Sequence, residues 1–173
     1  MKLKPQDLLF LLKLVAIENR GWSFNQLSIE LGMSPAEVHA ASKRSVQAQL
    51  AVKIDGRVVP IIRNLTEFIV HGLKYVFIPD HGTLTRGMPT SYAYAPLSSL
   101  IVLDDAPPPV WPCAEGAVRG LSFSPLYSSV PVAAQQDKNL YELLALVDAI
   151  RGGRKREQNL AIEEMSKRLN AYE

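Results

Sequence analysis

Histidine, threonine, arginine and two glycines crowd one short stretch, "DHGTLTRGMPTS" (Asp80–Ser91), with His81, Thr83 and Arg86 in it. Such a set can cradle an anion, with backbone N–H groups and the Arg86 guanidinium as donors. The same composition also reads as a polar surface loop between two elements. Other chemistry-bearing residues are scattered. His39, His71 and His81 share no metal-ligand spacing, and His71, inside an apolar run, reads as a packed core histidine. Asp104-Asp105 precede a proline run and read as a solvated turn. The single Cys113 excludes an intramolecular disulfide and any Cys-rich zinc site. No phosphate-binding glycine loop, dinucleotide fingerprint, His-Glu-x-x-His pair or nucleophile elbow occurs. No residue is therefore assigned a catalytic role, and no metal or cofactor is expected.

Charge says more than the reactive residues do. The 173 residues carry a net charge of +2 and are 47% hydrophobic, enough for a real core in one domain or two small ones. Residues 1–64 hold nine Lys/Arg against five Asp/Glu, whereas residues 65–150 hold four against eight. Residues 151–173 are basic again, with six against four, most densely at Arg151–Glu157. A basic front and an acidic middle imply different partners for different parts. No apolar run reaches the ~18 residues of a membrane span, and Lys13 interrupts the apolar N-terminal stretch where a signal peptide would need continuity. A cytoplasmic protein without membrane attachment is expected.

The elements that would position a site are legible in the front third. Pro5–Glu18 reads as a helix with Leu8, Leu11, Leu12 and Val15 at helical spacing. A second helix opens on Ser23, with Gln26 at its third position and Trp22 and Leu27 placed as a hydrophobic staple. Gly32 suits the left-handed end of that helix. Two residues later Ser34, Pro35 and Glu37 form a capping box for a third helix, flanked by Met33 and Val38. Leu50–Ile62 reads as two short strands around Asp55-Gly56, which suits a type I′ turn.

Three helices and a hairpin in this order resemble the winged helix-turn-helix domain of bacterial transcription regulators, close in style to the MarR family. The resemblance is carried by "FNQLSIELGMSPAEVHAASKR" and "VKIDGRVVPI" and covers residues 5–63. It implies a recognition helix opening at Ser34-Pro35 and a wing at the hairpin. Ser34, Ala36, His39, Ala40, Lys43 and Arg44 would then face double-stranded DNA, and Lys53 and Arg57 would meet the adjoining backbone. Ser42 and Ser45 stand where the family usually buries leucine; buried hydroxyls there can bond back to helix carbonyls but lose apolar contact. Isolated winged helices bind weakly, so a homodimer is expected. The apolar first helix and the C-terminal helices are its candidate interface.

Behind residue 64, an Asn64…Glu67 capping box opens an apolar helix running to about Tyr75. Residues 79–135 hold nine of the twelve prolines and read as short strands and loops. Helices at Asp137–Ile150 and Arg154–Asn170 complete the chain, separated by Gly152-Gly153. The expected fold is α+β and mostly helical: an N-terminal winged helix over 1–64, a helix with a Pro-rich irregular module over 65–135, and C-terminal helices over 136–173. The acidic module is expected to dock a basic protein through Asp104, Asp105, Glu115 and an exposed Trp111. A DNA-binding regulator is the leading expectation, with an antitoxin-type autorepressor of a toxin as its more specific form. The alternative is an interaction adaptor or assembly subunit whose winged helix does not bind DNA.

Overall fold

Helix α1 (Pro5–Ile17) is buried without a break from Asp7 to Ala16. A helix apolar on all sides belongs inside a molecule, and α1 is the centre of this one. The computed structural model describes residues 2–172, and one contiguous core surrounds α1. Helix α3 (Pro35–Gln47) packs on it, as does α7 (Lys138–Gly152), itself buried from Leu143 through Arg151. The apolar faces expected to join two copies of the chain are thus consumed within one: Leu8, Leu11, Leu140 and Val147 have no exposed surface. Helix α8 (Lys155–Asn170) covers α7 and carries the Glu163–Lys167 and Glu164–Arg168 pairs at 3.3 and 2.9 Å.

The capping chemistry sets the front helices. Helix α2 (Phe24–Leu31) opens on Ser23, whose hydroxyl accepts from the Gln26 amide at 3.1 Å, and closes on Gly32 at φ 63°. At α3 the box is reciprocal. The Glu37 amide donates to Ser34 Oγ at 3.2 Å, and the Ser34 amide donates to the Glu37 carboxylate at 2.8 Å. Strands β1 (Ala51–Ile54) and β2 (Arg57–Pro60) pair antiparallel around Asp55 and Gly56, at φ 49° and 80°, the two positive values a type I′ turn needs.

Farther along, several expectations give way. Helix α4 (Ile62–Glu67) opens on Ile61, and Asn64 is not its cap. The Asn64 amide instead donates to the Gln49 carbonyl at 2.7 Å, tying the helix to the turn ahead of β1. A π turn, Phe68–Gly72, leads into α5 (Leu73–Val76). The buried stripe is Leu65, Ile69 and Leu73, so His71 falls off it and is exposed, not packed in the core.

The stretch from His81 is not a loop. It forms β3 (His81–Pro89), which pairs antiparallel with both β4 (Pro109–Pro112) and β5 (Val118–Phe123). Strands β4 and β5 pair parallel, so the three close on one another. That closure brings backbones together where only glycine fits: a Cβ on Gly87 would lie 2.0 Å from the Trp111 carbonyl oxygen. Between β3 and β4 the chain winds through two 3-10 turns, Ser91–Ala93 and Leu97–Ser99. Helix α6 (Val130–Gln136) lies in the stretch read as irregular. Among the described residues, no helix is long and apolar enough to cross a membrane.

Candidate functional site

The outward side of α3 and the adjoining hairpin carry most of the residues singled out from the sequence. Ser34, Ala36, His39 and Lys43 are exposed and Ala40 is half-buried, while Val38, Ala41, Ser42 and Ser45 face inward. Lys53 and Arg57 are exposed on β1 and β2, and β1 packs beside α3. Among the described residues, Lys43, Lys53 and Arg57 enter none of the ion pairs formed by the chain. The site thus presents unpaired cations and short side chains, a surface able to meet a polyanion closely.

Arg44 does not belong to it. One helical step turns a side chain by about 100°, and Arg44 points inward where Lys43 points out. Its Nε donates to both carboxylate oxygens of fully buried Asp7 at 2.9 Å, and Nη2 stands 2.7 Å from Oδ1. A buried carboxylate needs such a partner, and the guanidinium fork supplies it with matching geometry. The expectation that Arg44 contacts DNA is corrected on this ground. Ser45 Oγ, which could bond back to a helix carbonyl, is buried with no hydrogen-bond partner.

His39 is held by aromatic neighbours that the sequence did not connect to it. Its ring stacks on Phe24 with centroids 3.8 Å apart and planes 20° apart. Phe24 meets Trp22 edge-on at 5.2 Å, and Trp22 meets buried Phe10 at 6.0 Å. Trp22 therefore links α1 to α2, beyond its expected role as a staple on Leu27.

The start of α3 also has a distant neighbour. The Tyr127 hydroxyl donates to Glu37 Oε1 at 2.6 Å. That bond, with the capping contacts at Ser34, holds the Glu37 carboxyl below the usual range and raises the Tyr127 phenol. Beneath the same turn, Ser129 and Val132 crowd Gly32 so closely that an added Cβ would lie 3.3 Å from Ser129 Cβ.

A charged chain ties this unit to the C-terminal helices. Lys13, with only 2% of its side chain exposed, stands 2.8 Å from both Glu30 and Asp137, and Arg20 donates to Glu30 at 2.8 and 3.0 Å. Partial burial disfavours the Glu30 carboxylate, but the bonds from Arg20 and Lys13 outweigh it and hold the group down at about 2. Asp137 also caps α7, accepting from the Leu140 amide at 3.1 Å.

Of the expected partner-docking residues, Asp104, Asp105 and Glu115 are exposed, and Asp104 accepts from the Ala106 amide at 3.1 Å in a turn. Trp111 is not exposed; it has no accessible surface. Its indole N–H donates to Asp148 at 2.6 Å, beside Thr90 at 2.6 Å and Arg151 at 2.9 Å on the same carboxylate. Burial pushes the Asp148 carboxyl up, and these donors oppose it. This cluster pins the closed strands to α7, so Trp111 is corrected from partner anchor to core anchor. No sequence signal links Thr90, Trp111 and Asp148, which meet only in space. Exposed apolar side chains do lie just before the two acids, at Leu100, Val102 and Leu103, with Val102 96% accessible.

No protein-family model, curated protein or solved structure matches this chain.

Proposed function

We propose that this protein is a sequence-specific transcriptional regulator that binds double-stranded DNA, with residues 1–64 acting as a winged helix. In this reading α3 is the recognition helix and enters the major groove, while the β1–β2 hairpin is the wing. The observation that carries it is the sorting of cations on this unit: Lys13 and Arg44 are tied to buried or partly buried acids, whereas Lys43, Lys53 and Arg57 stand exposed. Exposed cations beside the short side chains of Ala36 and Ala40 suit phosphates and a closely approached groove. Binding as a homodimer to a palindrome belongs to the proposal. Because α1 and α7 are used up within one chain, copies must meet through another surface.

The test is a mobility shift on the DNA upstream of the protein's own gene. Lys43→Ala combined with Arg57→Ala should weaken binding and lower the log–log salt slope by roughly one per lost phosphate contact. A wild-type protein that retards no duplex at low salt overturns the proposal.

A second reading, docking of a protein partner such as a toxin, is supported by the exposed Leu100, Val102 and Leu103 beside Asp104 and Asp105. It predicts that Val102→Asp abolishes co-purification of a partner that wild type retains. Retention by a folded Val102→Asp protein counts against this surface.

A further inference from the structure

We infer that His39 and Lys43 read two guanines about two base-pair steps apart, with Phe24 holding the His39 ring for that contact; the inference rests on the DNA-binding reading above. The parallel stack at 3.8 Å covers one face of the imidazole. His39 is nevertheless exposed, so its ring edge, which carries both nitrogens, is what remains for hydrogen bonding. Phe24 cannot drift, because Trp22 abuts it edge-on at 5.2 Å and is itself set against buried Phe10. The ring of an exposed histidine is thereby tied to the core.

A neutral imidazole always carries one N–H donor, and a lysine ammonium carries three donors and no acceptor. In the major groove guanine alone presents two acceptors, N7 and O6, on one base. His39 and Lys43 stand four residues apart on one face, a rise of about 6 Å. Base pairs are spaced about 3.4 Å, so two donors on a helix lying along the groove meet bases roughly two steps apart. Ala36 and Ala40 flank them and are too short to hold the helix off the bases. Their methyl groups suit thymine. Arg44 would have been a competing guanine donor, but its fork is committed to Asp7.

The experiment is selection of bound sites from randomised duplexes by the full-length protein at low salt, followed by sequencing. Wild type should enrich guanine at two positions separated by one base pair, each preferred about tenfold over other bases. His39→Ala should erase the preference at one position and Lys43→Ala at the other. Phe24→Leu should reproduce His39→Ala while keeping the Lys43-dependent guanine, which also shows that the variant is folded. Phe24→Tyr, which keeps a stacking ring, should restore the wild-type motif. An enriched motif lacking this guanine pair, or one unchanged by His39→Ala and Phe24→Leu, overturns the inference and leaves the DNA-binding reading standing. Recovery of no enriched duplex by wild type overturns both.

Discussion

The inner side of the front helices holds Lys13 and Arg44 in ion pairs, whereas the outer side of α3 and the hairpin leaves Lys43, Lys53 and Arg57 open to solvent. Arg20, exposed just past the end of α1, is paired with Glu30. Arg44 clasps buried Asp7 through Nε and Nη2, and Lys13 is shared between Glu30 and Asp137. Lys43, Lys53 and Arg57 are exposed. The two sets do different physical work. An interior cation without a partner would carry a heavy desolvation cost, so each is matched, and the matches join elements far apart in the chain. Exterior cations cost little to leave hydrated, and they remain available to a partner bringing its own negative charge. Counting basic residues therefore overstates the charge on offer at this surface.

The sharpest way to break that comparison is Asp7→Ala. It strands the Arg44 guanidinium in a buried site, and urea unfolding should show a loss of about 3–5 kcal/mol. Replacing both partners, Asp7→Leu with Arg44→Met, should recover much of this, because the cost lies in the unpaired charge. A loss below about 1 kcal/mol for Asp7→Ala alone would mean that solvent reaches the pair after all.

Glu30 gives a smaller, pH-dependent effect. Its folded carboxyl titrates at about 2, below its unfolded value. The stability it contributes is therefore fully present above the ordinary glutamate range and is lost as pH falls through that range toward about 2. Thermal melts across this window should show Glu30→Gln with a flatter acid limb than wild type. At neutral pH the variant should be less stable by about 2 kcal/mol, the scale of a charged hydrogen bond. Parallel acid limbs would mean that Lys13 and Arg20 do not hold this carboxylate.

The smallest effect belongs to the outer side. Lys43→Ala and Arg57→Ala should each leave folding stability within about 0.5 kcal/mol of wild type, even where they weaken DNA binding. A larger loss in the same unfolding assay would show that these side chains help to hold the fold.

Local chemistry was legible without the fold. The hydroxyls of Ser23 and Ser34, the returning carboxylate of Glu37, the positive φ at Gly32 and the Asp55-Gly56 turn act over a few residues, so their spacing in the chain already specified α2, α3 and the hairpin. Helical periodicity likewise put Ala36, His39 and Lys43 on the outward side of α3. Strand β3 escaped because most of His81–Arg86 is exposed, leaving no alternation of apolar and polar residues to betray it. What only the tertiary structure decided is which polar and aromatic groups are inside. Arg44 turns inward because Asp7 waits 37 residues earlier, and Trp111 is core because Asp148 accepts its N–H from 37 residues later. Burial of a charge or an indole N–H is tolerable only where a partner is already in place, and that partner's position comes from packing around α1 and α7, which no short stretch of this sequence contains.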